Sequence, residues 1–202
     1  MNNCGCNNES STFRCDKFGT FTANDAKCIN VSIPAEGSII PFSSGISLSF
    51  VADILGIQIA SLLGFSTAFN FVPIISNTIN STNILTEAFA VPRDGKITAI
   101  SATFAPLDGV ILNGPVTIRA QIFLAPEGSN IFTGTSASVD LTPPLTGPSP
   151  IGQITFATAN IPPVPVTVGD LLLMVFYISS TTGDPNELDD IAGNASAGIN
   201  IV

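Results

Sequence analysis

Val116-Thr117-Ile118-Arg119-Ala120-Gln121-Ile122-Phe123-Leu124 decides the fold class of this chain. Val116, Ile118, Ala120, Ile122 and Leu124 alternate with Thr117, Arg119, Gln121 and Phe123, and a period of two is the mark of a strand with one face buried. Further on, Leu171-Leu172-Leu173-Met174-Val175-Phe176-Tyr177-Ile178 is a continuous apolar run of strand length. It predicts a strand buried on both faces, in a sandwich core or a subunit interface. Upstream, residues 88–91 and 96–104 flank Pro92-Arg93-Asp94-Gly95, where proline presets the first turn angle and glycine permits positive φ, so two strands joined by a turn are expected. Other strands are expected at 39–42, 47–51, 69–75, 136–141, 153–157 and 196–202, with Pro143-Pro144 and Pro162-Pro163 as punctuation between them. Residues 53–63 have an apolar spacing that a helix could also use, and are read as strand and loop. Many short strands with Gly/Pro turns predict an all-β jelly-roll β-sandwich, preceded by an extended N-terminal arm.

Composition agrees and narrows the function. Thr, Ile, Val, Phe, Gly and Pro abound while Lys, Arg, Glu and Gln are scarce, which favours strands and tight turns over helices. Only 10% of the 202 residues are charged and 45% are hydrophobic, with a mean hydropathy of +0.48. A typical chain is about one quarter charged, so this one has little polar covering for a lone monomer and is expected to bury apolar surface between copies. The formal charge of −9 repels phosphate backbones and anionic headgroups, arguing against nucleic acid and membrane as partners. Histidine is absent, which removes the commonest general base and metal ligand. No phosphate-cradling loop, nucleophile elbow or metalloprotease motif occurs, so neither catalysis nor a cofactor is expected.

The chain divides near Pro34-Ala35-Glu36-Gly37. Residues 1–37 hold all four cysteines, Cys4, Cys6, Cys15 and Cys28, in a polar background too poor in apolar residues to build a core; residues 38–202 are cysteine-free and apolar. Four cysteines allow three intrachain pairings, and links between chains are also open. Zinc is disfavoured, because Cys4-Gly5-Cys6 leaves one residue between thiols and no histidine supplements them. Disulfides persist in oxidising surroundings, so a disulfide-bearing arm implies an extracytoplasmic final location. Met1-Asn2-Asn3-Cys4 and the residues after it lack a basic start and an apolar stretch, so no secretory signal is read there and release by lysis of the producing cell is expected. Residues 54–75 are uncharged, but they include Gln58, Asn70 and Pro73 and no basic flank, and read as buried or interfacial rather than membrane-spanning.

Two other features invite chemistry. Asp184, Glu187, Asp189 and Asp190 share one loop and could offer oxygen ligands to calcium, or a carboxylate pair to a glycosidase; their spacing is not that of an EF-hand, and an acidic surface loop is ordinarily just solvated. Asn-X-Ser/Thr triplets begin at Asn8, Asn30, Asn80 and Asn194, as expected by chance in a chain this rich in Asn, Ser and Thr.

At Val91-Pro92-Arg93-Asp94-Gly95-Lys96-Ile97-Thr98-Ala99-Ile100-Ser101-Ala102 the chain resembles the C-terminal domain of the BclB-type exosporium glycoproteins of spore-forming bacilli. Ile39-Ile40-Pro41-Phe42-Ser43-Ser44-Gly45, Leu145-Thr146-Gly147 with Ile151-Gly152, and Ala195-Ser196-Ala197-Gly198-Ile199 extend the resemblance over residues 38–202. It implies a trimeric jelly roll of the tumour-necrosis-factor-like kind, displayed at the spore surface after mother-cell lysis. Proteins of that type carry a collagen-like stalk, which is absent here. In its place the arm resembles in style the N-terminal connectors of endospore appendage subunits. The expected function is therefore a structural, self-assembling subunit of a spore-surface layer or appendage fibre. Its expected partners are its own copies, with other exosporium or appendage proteins, and trimers are joined head to tail through the arm by strand addition and disulfides. The alternative is an exosporium-anchored trimeric head that binds a host or environmental ligand.

Overall fold

The computed structural model describes residues 37–51, 57–82, 87–107, 112, 114–147, 152–182 and 190–202. They form an all-β jelly-roll sandwich of two antiparallel sheets, with no helix among the described residues. Twelve strands follow in chain order: β1 (Ser38–Ser43), β2 (Leu48–Val51), β3 (Gln58–Leu63), β4 (Ala68–Ile74), β5 (Thr78–Asn80), β6 (Phe89–Ala90), β7 (Gly95–Pro106), β8 (Val116–Ala125), β9 (Ile131–Asp140), β10 (Thr155–Val166), β11 (Leu171–Thr181) and β12 (Asp190–Ile201). One sheet runs β1-β12-β7-β10, with β2 also on β12; the other runs β4-β3-β11-β8-β9-β5, with β6 on β11. Both ends of the described chain thus meet in one sheet, where Ser38 lies opposite Ile201. Residues 54–75, tested above for a membrane span, supply β3 and β4, and no helix among the described residues is long and apolar enough to cross a membrane.

Period-two patterning explains the main core. Ile97, Ile100, Ala102 and Phe104 of β7, with Ile191, Ala195, Ile199 and Ile201 of β12, face Val116, Ile118, Ala120 and Ile122 of β8 and Leu172, Met174, Phe176 and Ile178 of β11. The Phe50 and Phe104 rings pack 5.3 Å apart within it.

The other residues of β11 belong to a second core on the far side of the same sheet. Leu173, Val175 and Tyr177 join Phe123 and Ala125 of β8, Ala60 and Leu62 of β3, Val72 and Ile74 of β4, Ile79 of β5 and Phe132 of β9. This core exists because the sheet curls until its outermost strands meet. β4 turns into β5 over Ser76 and Asn77, both at positive φ (50° and 59°), with Ile75 and Thr78 exchanging two 2.9 Å backbone hydrogen bonds. Two consecutive left-handed residues make the hairpin turn that suits twisted strands, and asparagine tolerates that conformation well. The Gly134 amide then donates to Asn77 O at 3.0 Å, fixing the turn onto β9.

The doubly buried strand expected at 171–178 is therefore real, and its second face is covered from within the chain rather than by another subunit. Phe123, placed on the solvent side by its alternation, is wholly buried, and Gln121 nearly so.

Two further expectations are corrected. Pro162-Pro163 does not separate strands. It lies inside β10, at the register break between Asn160 and Val164. β10 is an edge strand, where a missing N–H breaks no ladder bond. Pro41 in β1 and Pro73 in β4 are edge prolines of the same kind. Pro92-Arg93-Asp94-Gly95 does join two strands, as a crossing between sheets, because β6 lies on β11 and β7 in the opposite sheet, but the positive φ expected of its glycine is not found. Gly95 is not among the positive-φ glycines; a Cβ there would meet Ile201 Cγ2 at 2.8 Å and Val202 O at 2.9 Å. Asp94 Oδ1 accepts the Val168 N–H at 2.9 Å, so the motif ties the crossing to the β10–β11 turn.

The corner where the sheets meet is closed by side chains. The single Ser61 hydroxyl proton is shared between Ser49 O (3.0 Å) and Asn70 Oδ1 (2.8 Å), and Asn70 Oδ1 also accepts from Ser49 N at 3.2 Å. The free edge of β2 is satisfied across the sandwich in this way.

Candidate interaction face

The outward side chains of the five-stranded sheet form ordered rows. Strand register places Ile39, Asn200, Ala99 and Asn160 in one row, Pro41, Gly198, Ser101 and Thr158 in the next, and Ser43, Ser196, Thr103 and Phe156 in a third, with Asn194 beside Ala105. None is ionisable. Hydrogen bonds tie the rows flat: Ser101 to Thr158 at 2.8 Å, Thr103 to Ser196 at 2.8 Å, and Asn200 Nδ2 to Thr98 Oγ1 at 3.0 Å. Large apolar groups stand at both margins, Ile39 at 77% exposure on β1 and Phe156 at 59% on β10.

Between them, over Gly198, lies a shallow groove of about 180 Å³ lined by Ile39, Ala99, Ser101, Thr158 and Asn200. The groove is open to solvent, a place for an apolar side chain to lie against the sheet rather than an enclosed cavity. Gly198 makes it, and the fold does not require glycine there. Its φ is not in the left-handed range, and the nearest atom to an added Cβ is Ile40 O at 3.8 Å, ordinary contact. Gly193, on the same strand, is different, because a Cβ there would run into the Phe104 ring. Glycine inside a strand is destabilising by roughly 0.5–1 kcal/mol relative to alanine, so at position 198 the backbone carries that cost with no steric return.

The opposite face of the molecule holds the one ion pair among the described residues. Arg119 donates through Nε and Nη2 to the two oxygens of Asp140, each at 2.7 Å, and Ser179 Oγ adds a 3.0 Å bond to Asp140. The Arg119 hydrogen bond, aided by Ser179 and opposed by partial burial, holds the Asp140 carboxyl below its ordinary range. Tyr177 is pushed above its ordinary value, chiefly by burial, and its hydroxyl donates to Gln121 Oε1 at 2.6 Å. Every group here is engaged, so the cluster offers no free base, acid or nucleophile. With a lowered carboxylate pKa, the pair's stabilisation is present above the ordinary carboxylate range and is lost as pH falls through and below it. A pair this exposed is worth at most about 1 kcal/mol. Asp140→Asn is accordingly expected to shrink the drop in thermal midpoint between neutral and strongly acidic solution, and an unchanged drop would show the pair to be energetically silent.

The residues singled out from sequence fall elsewhere. Cys4, Cys6, Cys15 and Cys28 lie outside the described residues, as do Asp184, Glu187, Asp189, Asn8 and Asn30. Asp190 opens β12, its backbone paired with Val51. Asn80 is exposed on β5, with Oδ1 accepting from Thr82; Asn194 is exposed on the flat face. No group of His, Cys, Asp and Glu among the described residues could hold a metal ion. Composition gives no pointer to the flat face, since its character comes from small and missing side chains; of its residues, Ala195-Ser196-Ala197-Gly198 belong to the stretch that carries the family resemblance.

No family model matches the sequence, and no curated protein does. Among solved structures the chain is similar to Eiger TNF from S. frugiperda, with 12% identity over 81% of this chain and 94% of that one, at a TM-score of 0.36. The jelly-roll assignment rests on strand order and register, to which an overlap at that level adds nothing.

Proposed function

We propose that this chain is a structural subunit that associates with its own copies through the uncharged rows of the outer face of the five-stranded sheet, with the exposed Lys96 of β7 beyond their end. The supporting observation is Gly198: a glycine the fold does not need, opening a shallow groove on a face bounded by exposed Ile39 and Phe156. Electrostatics point the same way. At a net charge of −9, copies repel one another wherever carboxylates face each other, and rows that carry no carboxylate are where they can approach. The resemblance to exosporium glycoprotein domains suggests that the small oligomer is a homotrimer at the spore surface, and that the arm links trimers into a layer or fibre. The edge prolines of β10 withhold donors from an added strand at that edge, and the arm's cysteines are the candidates for a covalent joint.

Sedimentation velocity tests the reading. Gly198→Arg, which fills the groove with a long side chain whose charge would be desolvated in a contact, is expected to reduce the parent oligomer to monomers while leaving the thermal midpoint near that of the parent. Removing residues 1–37 is expected to leave the small oligomer and abolish fibres in negative stain. If Gly198→Arg sediments as the parent does, this face is not the contact. If the parent itself stops at discrete trimers that bind a glycan or protein, the anchored binding head replaces the fibre subunit.

A further inference from the structure

A second exposed surface lies on the curled corner of the other sheet. Residues 54–86 contain no ionisable side chain, and β3 and β4 come from within that stretch. Ile59 pairs with Pro73 across the two strands, flanked by Ile57 and Ile75. Ile75 is 57% exposed, and Ile57 and Pro73 are exposed with it.

Phe71 completes the patch in an unusual way. Between the pairs Leu62–Phe69 and Ala60–Val72, Asn70 and Phe71 together oppose the single residue Ser61, a bulge in the edge strand. The bulge turns Asn70 inward to its bonds with Ser47, Ser49 and Ser61. It leaves Phe71 at φ 61° with 58% of its surface in water. A bulky residue in the left-handed region is a true outlier, and bulges commonly serve to re-aim a side chain. Asn70 accounts for the bulge but not for the phenylalanine, since glycine would sit there without strain. The backbone therefore bears strain to hold an aromatic ring out in solvent beside three exposed apolar neighbours. Contiguous apolar patches of this kind mark association sites.

We infer that this patch is a second contact surface, separate from the flat face, whose partner is another copy of this chain. The charge pattern argues for that occupant: a chain at −9 meets a copy of itself with least repulsion where neither presents charge. It also turns away an anionic membrane. The flat face would make the small oligomer, and the Phe71 patch would bring such oligomers together.

The experiment uses the full chain under reductant, so that no disulfide contributes, with sedimentation velocity read over rising concentration. Two variants are compared with the parent: Phe71→Gly, which removes the ring and suits the left-handed backbone, and Ile75→Asp, which charges the patch. The parent is expected to form species larger than the small oligomer as concentration rises. Both variants are expected to stop at the small oligomer, with thermal midpoints close to the parent's. Variants that assemble as the parent does overturn the inference, and so does a parent that never exceeds the small oligomer. If instead Gly198→Arg leaves the small oligomer intact while the patch variants block its growth, the flat-face reading falls and this one stands.

Discussion

Phe123→Ala is expected to lower the free energy of unfolding by about 3–5 kcal/mol, read as a fall in the urea midpoint at unchanged slope. The ring is fully buried among the residues of the second core, in the company of Leu62, Phe132, Leu173 and Val175. A cavity left there cannot be filled by settling of the cover, because the β4–β5 turn is tied by its own hydrogen bonds and by the Gly134 amide. Were Phe123 on an open sheet face, as its alternation with Ile122 suggested, truncation would remove little buried area and cost about 1 kcal/mol or less. A loss that small would mean that the curled sheet does not close over a second core.

The second large effect is expected at Gly45, in the corner between β1 and β2. Its φ is 62°, and a Cβ would collide with the Ser66 carbonyl of the facing β3–β4 corner. Ser43 N donates to Gly64 O, and Ser66 N donates to Ser43 Oγ, so the two corners are knotted together and neither can retreat. Left-handed backbone costs a residue with a Cβ about 1–2 kcal/mol, and overpacking adds roughly 1–3 kcal/mol. Gly45→Ala should therefore lose about 3 kcal/mol in a urea titration. Gly128 supplies the internal comparison: its φ is 75° with nothing within 4 Å of an added Cβ, so Gly128→Ala should show the backbone part alone, about 1 kcal/mol. Equal losses at the two positions would mean that the corner contact carries no energy.

Fold class was legible in the sequence because it depends on local pattern. The alternation at 116–124 and the apolar run at 171–178 both became central strands of the second sheet. What could not be read was closure. A window of nine residues around Phe123 cannot register that a turn at Ser76 and Asn77 will bring β4 and β5 over it, and Ser-Asn followed by Thr78 is not one of the strong two-residue hairpin pairs. Pro162-Pro163 misled for a related reason, since proline breaks a strand only where its N–H is wanted, and edge position is a property of the whole sheet. The candidate face was less legible still. Searching for function in sequence favours residues that carry charge, thiol or imidazole, whereas Gly198 and the Ser/Thr rows around it are distinguished by how little they present.

The placement of β12 has a consequence for synthesis. It lies between β1 and β7, so the central strand of the flat face is the last described one to leave the ribosome. Until it arrives, β1 and β2 have no partner in their sheet, and β7 lacks one of its two neighbours. Pairing between segments so far apart in sequence is slow, because the loop must close before any contact repays it. A nascent chain, even crowded against others on one message, therefore cannot present the finished face, and any contact that used it would have to await completed domains.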